Sequence, residues 1–250
     1  MAAIVGVTGL AFEARIAADR FTRALCSGDG STLAGSLASV IAADCRGLIS
    51  FGVAGGLSSD LPAGTCIVGS SIISDAIELT TDQNWSQALL RLIPDAIHGA
   101  IAGVTTIVAH PEAKSALHRN TGALAVDNES HVVASVAAAR GLPMAAVRVI
   151  MDPANRPLPA AALAAVHANG TIDLAATIRA IMRQPSELPM LVRTALDALI
   201  GFTALLRCRQ LLGDGLGLPG LQVREPEPSP RVEVPIDGLY SAVPEALKHR

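Results

Sequence analysis

Two short acidic motifs, each placed directly after an apolar run, contain the side chains of this chain best suited to chemistry. Residues 126–130 (VDNES) contain Asp127 and Glu129, and Asp152 follows the run 147–151 (VRVIM) and precedes proline. A carboxylate can accept two hydrogen bonds from a sugar diol, and a buried carboxyl group can hold a proton at neutral pH. We therefore predict that Glu129 and Asp127 bind substrate and that Asp152 is a general acid. Taken alone, each acid could instead be a helix-start or turn residue.

A glycine-rich motif, residues 52–57 (GVAGGL), also comes directly after an apolar run. Glycines allow the backbone to approach a ligand closely and expose its N–H groups. We predict that Val53, Ala54 and Gly55 contact the substrate, with a tight strand-to-loop turn as the alternative. No Gly-Lys-Ser/Thr follows, so the motif is not a phosphate loop. A second pattern, G-x-G-x-x-G at residues 215–220, follows a predicted helix rather than a strand and therefore does not indicate dinucleotide binding.

Apolar segments of strand type alternate with helical patterns over the first two thirds of the chain, which predicts an α/β fold. The predicted strands are residues 3–8, 47–52, 64–73, 97–108, 123–126 and 143–151. The predicted helices are residues 12–26, 31–44, 111–119, 129–140, 159–168, 172–183 and 186–212. We expect three layers, αβα, around a mixed and largely parallel sheet. Ligands on such sheets bind at the carboxyl ends of strands, where the acidic and glycine-rich motifs lie.

Composition limits the classes of function. The 250 residues are 50% hydrophobic but only 16% charged, with a net charge of −3, which argues against disorder and against nucleic acid as a partner. A chain this apolar favours either buried subunit contacts or a wide apolar pocket. Buried subunit contacts would mean a homodimer or higher homo-oligomer. We predict one domain over residues 1–212. The Pro- and Gly-rich residues 213–250 are predicted to form an extended tail.

Location and metal content are also predicted from the sequence. No basic segment followed by an apolar one marks the N-terminus, which favours a cytoplasmic protein. The predicted helix 186–212 is interrupted by charges, and Arg193 and Asp197 stand four residues apart and could pair. A peripheral membrane role for this helix is an alternative. The cysteines and histidines show no metal-ligand spacing, so we expect no metal.

The three motifs, in this order and spacing, resemble the nucleoside phosphorylase and nucleosidase superfamily. Its methylthioadenosine/S-adenosylhomocysteine nucleosidases have similar G-S-A-G-G-L, V-E-M-E and V-R-x-I-S-D segments. The resemblance implies that Asp152 protonates N7 of a purine, that Glu129 holds the ribose hydroxyls, and that Glu13 orients the attacking water. Asn128 stands where the family has methionine against the sugar, and Val53 stands where many members have serine.

The resemblance leaves the nucleophile open between water and phosphate. Phosphorylases of the superfamily have an arginine shortly before the glycine-rich motif, where this chain has Ser50 and Phe51, and this favours hydrolysis. Arg15 is the candidate phosphate ligand if the reaction is phosphorolysis, and phosphate would then be a co-substrate; no other cofactor is expected. The motifs further resemble the hopanoid-associated branch, which implies adenosylhopane as substrate. A non-catalytic nucleoside- or lipid-binding protein on the same scaffold is a further alternative.

Overall fold

The computed structural model describes residues 3–26, 30–75, 77–159, 162, 179, 182 and 185–221. Its strands are β1 Ile4–Thr8, β2 Thr22–Cys26, β3 Gly47–Gly56, β4 Cys66–Ser74, β5 Ile77–Thr80, β6 Ile97–Gly103, β7 Ala125–Asp127 and β8 Met144–Asp152. Its helices are α1 Ala11–Ala17, α2 Gly30–Val40, α3 Gln83–Leu92, α4 Pro111–Thr121, α5 Ser130–Arg140 and α6 Leu188–Leu212, the last preceded by a 3-10 turn, Pro185–Glu187. The predicted helices 159–168 and 172–183 lie almost entirely outside the described residues.

The eight strands form one mixed sheet in the order β2-β1-β3-β7-β6-β4-β5, and β8 pairs with both β3 and β4. Five of the strand pairs are parallel, whereas β3 with β7, β4 with β5, and β4 with β8 are antiparallel. The predicted α/β class with a mixed, largely parallel sheet is confirmed. Because β8 bridges β3 and β4, the strands β3, β7, β6, β4 and β8 also close into a ring, which the sequence did not predict.

Successive residues of the central strands point to opposite faces of the sheet, as the two-residue period of a strand requires. On β3, Ile49 packs in one apolar cluster with Trp85 of α3 and Leu205 of α6, while Leu48 packs in the other. That second cluster contains residues of α2 and α5, including Leu37 and Val133. Helices therefore cover both faces, which gives the three predicted layers.

Helix α6 packs against the end of β8 that carries Asp152. A Cβ at Gly201 would lie 3.1 Å from Cα of Met151, so glycine allows this close approach. Asp197 of α6 pairs with Arg156, and the expected pair between Asp197 and Arg193 is not the contact that forms. Helix and strand are thereby held together both by packing and by an ion pair.

The opposite face of α6 is exposed and apolar. Its exposed large side chains are Leu188, Val192, Leu196, Leu199, Ile200, Leu206 and Leu211. With 25 residues and a mean hydropathy of 1.5 in its most apolar window, α6 is long and apolar enough to cross a membrane by these two criteria. The core helix of a soluble protein meets the same two criteria, so they do not by themselves assign a membrane span to α6. A cytoplasmic location stays a prediction.

The predicted helix 12–26 was wrong in its second half. The structure ends α1 at Ala17 and starts β2 at Thr22, which pairs in parallel with Ile4 of β1. Asp19 makes the turn between them, because its Oδ1 accepts hydrogen bonds from the backbone N–H groups of Phe21 and Thr22 at 2.7 and 2.8 Å. A carboxylate that binds nearby backbone N–H groups in this way stabilises a turn in place of further helix.

Two elements between residues 77 and 92 were missed. Strand β5 has only four residues, and its apolar–polar alternation, Ile77-Glu78-Leu79-Thr80, is too short to distinguish it from a loop. Helix α3 does carry a start signal, since Asp82 caps it by accepting a hydrogen bond from Trp85 N at 2.8 Å.

The ordered fold continues beyond residue 212, where the tail was predicted to begin. Leu216 is fully buried in the core, and its carbonyl accepts a hydrogen bond of 3.1 Å from Trp85 Nε1. Leu216 has a φ of 45°, between glycines at 215 and 217 that also have positive φ, so the glycines of the discarded G-x-G-x-x-G pattern form turns. Residues 222–250 of the predicted tail lie outside the described residues.

The packing of Leu216 predicts a stability effect. Leu216→Ala should lower the free energy of unfolding by about 2–5 kcal/mol, because it leaves a cavity in a core that includes Trp85. Leu211→Ala, at an exposed position of α6, is the matched control and should cost less than about 1 kcal/mol. Urea denaturation measures both values, and equal small effects would show that residues 213–221 do not belong to the core.

Candidate active site

The predicted site residues converge on the carboxyl half of β3. Gly52 pairs with Arg148 of β8, and beyond a register shift Gly55 pairs with Asp152. On the other edge, Gly55 pairs antiparallel with Val126 of β7. Both acidic motifs are therefore direct neighbours of the glycine-rich motif, as predicted. The glycines themselves belong to β3, which continues to Gly56, so the strand predicted over residues 47–52 was too short.

Glu13 is brought to this strand from the first turn of α1, where it is 1% exposed. Its Oε2 accepts hydrogen bonds from the backbone N–H groups of Gly9 and Leu10 at 3.0 and 2.8 Å, and its Oε1 accepts one from Val53 N at 2.7 Å. Burial raises the pKa of Glu13, and the positive charge of Arg148 and the three N–H groups oppose that rise. The side chain thus ties the end of β1 to the glycine-rich motif.

Gly52 is required for this placement. Its φ is 155°, and a Cβ there would lie 2.7 Å from Oε1 of Glu13, inside the distance that real contacts allow. Gly9 has a corresponding function, since a Cβ at this position would lie 2.9 Å from Oε1 of Glu129. The two glycines therefore make space for two carboxylates, and this also places Glu129 close to the start of α1.

Arg148 links the carboxylates on the other side of β3. Its Nη2 lies 3.0 Å from Oε2 of Glu129, and its Nε lies 2.5 Å from Oδ2 of Asp127. The guanidinium is fully buried and also donates to Ser50 Oγ at 2.6 Å and to the carbonyl of Val53 at 3.2 Å. Arg148 is thus held by two segments at once, β3 and the junction of β7 with α5, although its Nε lies beside Asp127 without forming a hydrogen bond.

Burial raises the pKa of Glu129 to about 7, although Arg148 opposes the rise. The nearby charges of Asp127 and Glu13 raise it further. Its side chain keeps 13% of its surface exposed, in contrast to the 2% of Asp127. Glu129 is therefore the carboxylate of this pair that a ligand could reach.

Asp127, predicted to bind substrate, is instead occupied by protein donors. Its carboxylate accepts hydrogen bonds from the backbone N–H groups of Glu129 and Ser130 and from the hydroxyl of Ser130, in addition to its pair with Arg148. We assign it the task of starting α5 and holding Arg148. Asn128, also predicted to contact substrate, is half-buried between Asp127 and Glu129.

Asp152 is paired with a cation that the sequence did not reveal. Nζ of Lys114 on α4 lies 2.6 Å from Oδ2 of Asp152, and both side chains are buried. Burial raises the pKa of Asp152, and Lys114 and Arg156 oppose the rise while Asp197 adds to it. Oδ2 would lie 3.6 Å from a Cβ at Gly55, so the acid stands directly beside the glycine-rich motif.

The remaining predicted residues line the same strand or lie apart from it. Val53 and Gly55 are half-buried, and Ala54 is buried in the core cluster on the α5 side of the sheet. Arg15 is exposed on α1, two positions after Glu13. Two residues correspond to about 200° around a helix, so Arg15 faces away from the site that Glu13 enters.

Two surface cavities of about 320 and 220 Å³ lie elsewhere, between β5 and α5. They share Leu79 and Ala134, and neither is lined by Glu13, Glu129 or Asp152. Across the part of the chain that the structure describes, no group of three or more His, Cys, Asp or Glu side chains could hold a metal ion. The charged groups that the structure places at the site are its carboxylates and two cations, Arg148 and Lys114.

Sequence reasoning missed both of these cations. Arg148 had a usable signal, because a charged residue inside an apolar strand is expected to be buried with a partner. Lys114 had none, because a lysine in the first turns of a helix is normally solvent-exposed. Only the packing of α4 against the end of β8 makes it a partner of Asp152.

Comparison with solved structures shows the same fold in several nucleosidases. A 5′-methylthioadenosine/S-adenosylhomocysteine nucleosidase from S. pneumoniae superimposes with a TM-score of 0.58 at 14% identity, covering 84% of this chain and 99% of that one. Futalosine hydrolase of Helicobacter pylori gives 0.54 at 17% identity, over 74% and 99% of the two chains. A putative methylthioadenosine nucleosidase from Weissella paramesenteroides gives 0.55 at 16%, over 83% and 98%.

The sequence itself gives a second, independent comparison. A search of curated proteins finds no match. The model of the phosphorylase superfamily, however, matches residues 22–183, which is well over half of the chain and includes the glycine-rich motif and both acidic motifs. With the sheet, the convergent carboxylates and this match together, the chain belongs to the phosphorylase superfamily.

Proposed function

We propose that this protein cleaves the N-glycosidic bond of a purine nucleoside by hydrolysis. The observation that carries the proposal is the convergence of three buried or nearly buried acids, Glu13, Glu129 and Asp152, on one glycine-rich strand. The names of its structural neighbours support it, since they include nucleosidases for methylthioadenosine and a futalosine hydrolase. In this proposal, each acid has a separate task.

Asp152 is the general acid. Its raised pKa favours a protonated carboxyl group, which can give its proton to N7 of the purine. As the N7–H bond forms, the electron pair of the bond between C1′ and N9 moves into the base, and the base leaves neutral. A positioned acid of this kind contributes about 10² to 10⁴-fold to the rate.

Glu129 holds the ribose. Ionised, its carboxylate accepts hydrogen bonds from the two ribose hydroxyls, which keeps the sugar in place as it becomes an oxocarbenium ion. Arg148 binds only Oε2, and Oε1 is the oxygen nearest to Gly9. One oxygen therefore faces the cation, and the other faces the glycine that leaves space beside it.

Glu13 directs the nucleophile. Its carboxylate is held by three backbone N–H groups, so its orientation is fixed before substrate binds. A water molecule beside Glu13 would attack C1′ and release a proton to this carboxylate. Since Gly9 contacts Glu129 and also donates to Glu13, the water and the sugar would be neighbours.

The cations favour water over phosphate as the nucleophile. A phosphate site needs positively charged groups that are available to the anion. Arg148 and Lys114 are both committed to carboxylates, and Arg15 faces away from Glu13. Phosphorolysis is the alternative reaction, and a non-catalytic nucleoside- or lipid-binding protein on this scaffold is the alternative outside enzymes.

The finer identity of the substrate rests on the sequence resemblance. We propose adenine as the leaving base and, from the likeness to the hopanoid-associated branch, adenosylhopane as a candidate substrate. An apolar surface such as the exposed face of α6 is compatible with a lipid-bearing nucleoside. A cytoplasmic homo-oligomer is the assembly that composition and family lead us to propose.

Asp152→Asn tests the proposed acid. Turnover should fall by about 10² to 10⁴-fold, because an amide can donate a hydrogen bond to N7 but does not transfer its proton, while the nucleoside still binds. Chromatography of the adenine released from 5′-methylthioadenosine and from adenosylhopane measures the change. Asp60→Asn, at an exposed acid in the loop after β3, is the control. Near-normal turnover of Asp152→Asn would remove this residue from the mechanism. A wild-type protein that binds nucleosides but releases no base would favour the alternative of a non-catalytic binding protein.

The products distinguish hydrolysis from phosphorolysis. We expect the rate of adenine release to be the same with and without millimolar phosphate, and the sugar product to be the free sugar. Arg15→Ala should leave this rate unchanged, because the side chain is exposed and points away from the site. Formation of a sugar 1-phosphate, detected by ³¹P NMR, would show that phosphate is the nucleophile.

Glu129 predicts a pH dependence. Its pKa of about 7 means that the carboxylate is protonated below that pH and cannot accept both hydrogen bonds from the diol. The value of kcat/KM should therefore rise with pH up to about 7, and its fall at higher pH, where the proton for the leaving base is lost, is a separate alkaline limb. Glu129→Gln should lose the rising limb and have a raised KM. A wild-type profile that is flat between about pH 5 and pH 8 would contradict the assignment.

A further inference from the structure

We infer that Lys114 is the positioning residue and the proton store for Asp152, and that the two side chains share one transferable proton during turnover. This inference rests on the proposed function, in which Asp152 protonates the leaving base. It adds a residue that neither the motifs nor the family match assigns. The argument begins with geometry.

Lys114 directs its ammonium at a single short segment of the chain. Nζ lies 2.6 Å from Oδ2 of Asp152, 3.3 Å from the carbonyl of the same residue, 3.1 Å from the carbonyl of Pro153 and 3.4 Å from that of Arg156. A lysine has three N–H donors and no acceptor, so these oxygens account for all of them. The side chain therefore fixes both the carboxylate and the loop that follows β8.

The burial of the pair decides what this contact can do. The Lys114 side chain is fully buried and that of Asp152 is 9% exposed. In water, an ammonium and a carboxylate would both stay ionised, but burial disfavours charge on each of them. Burial lowers the pKa of Lys114 and raises that of Asp152, so the ionised and the neutral pair come closer in free energy. A proton can then move from Nζ to the carboxylate.

Other charged groups near the pair come from two elements. Arg156, in the loop after β8, lowers the pKa of Asp152, and Asp197 of α6 raises it. Because Arg156 and Asp197 are paired with each other, their effects largely offset. On α4 itself, Glu112 is exposed. Lys114 is thus the main charged group that acts on Asp152.

The protons taken up and released balance over one turnover. The Nζ–H bond of Lys114 breaks as the carboxyl O–H bond of Asp152 forms, and this O–H bond breaks as the base gains its proton at N7. The bond from C1′ to N9 breaks with its electron pair on the base, and water forms the new bond to C1′ while its proton passes to Glu13. Glu13 then releases that proton to solvent, and Lys114 takes one up.

The inference is tested by two substitutions with opposite expectations. Lys114→Arg keeps a cation beside Asp152, but a guanidinium does not release its proton, so it holds the acid as a carboxylate. Lys114→Met removes the cation, and the buried carboxyl group can then hold a proton by itself below its own raised pKa. Adenine release from 5′-methylthioadenosine at about pH 6 should therefore be at least tenfold lower in Lys114→Arg than in Lys114→Met.

The pH dependence of kcat/KM distinguishes this role from a purely structural one, because a structural cation would not change it. In the wild type, the alkaline limb of kcat/KM reports loss of the shared proton from the pair, whereas in Lys114→Met it reports Asp152 alone. The limb should move to lower pH by at least about one unit. Glu112→Gln, on the same helix but exposed, should keep the wild-type profile.

The outcomes separate this inference from the proposed function. If Lys114→Arg keeps wild-type turnover and pH profile while Lys114→Met loses activity without a shift of the limb, Lys114 is only a structural cation and the inference is overturned.

If Lys114→Met does not fold, the double variant Lys114→Met, Asp152→Asn removes the unpaired acid. It should be as slow as Asp152→Asn alone, and a further drop of tenfold or more would contradict action through Asp152. A wild-type protein that releases no adenine overturns the proposed function itself.

Discussion

The buried guanidinium of Arg148 is the contact on which the rest of the site depends. Asp127, Glu129 and Glu13 carry three acidic groups around one guanidinium, and the charges of Asp127 and Glu13 raise the pKa of Glu129. Removing one side of a buried ion pair leaves an uncompensated charge, which costs far more than the pair contributes. Without Arg148, the end of β1, the glycine-rich motif and the start of α5 could not be held together around carboxylates. An arginine suits this task because its proton does not leave.

The second constraint is space. Glu129 and Glu13 can converge on β3 only because positions 9 and 52 have no side chain, since a Cβ there would overlap with their carboxylates. On the face of the sheet that α6 covers, Gly201 likewise lets this helix approach the backbone of Met151. These glycines therefore matter because they have no side chain. The acids and helix α6 occupy the space that a side chain would need. A site built this way has fixed side-chain positions before any ligand binds, which reduces the cost of ordering it.

The two buried cations of the site differ in what their chemistry permits. Arg148 contacts two carboxylates, a hydroxyl and a carbonyl, and stays charged under all ordinary conditions. Lys114 contacts one carboxylate and three carbonyls, and burial lowers its pKa. The first arrangement suits a group that holds others in place, and the second suits a group that exchanges a proton. Arg148 stands on β8 itself, and Lys114 of α4 contacts Asp152 at the end of the same strand.

The α/β class, the three layers, most of the strands and the acids that lie together could all be predicted from the amino-acid sequence. These follow from short-range features: apolar runs of strand length, helical spacing, and acids placed directly after strands. Only the tertiary structure shows the closure of the sheet through β8 and the burial of Leu216. It also decided which acids are occupied by protein donors, as Asp127 is, and which cation each one binds, as Lys114 does for Asp152. The physical reason is that these contacts join residues up to 131 positions apart, and neither burial nor pairing over such distances leaves a periodic trace in the chain.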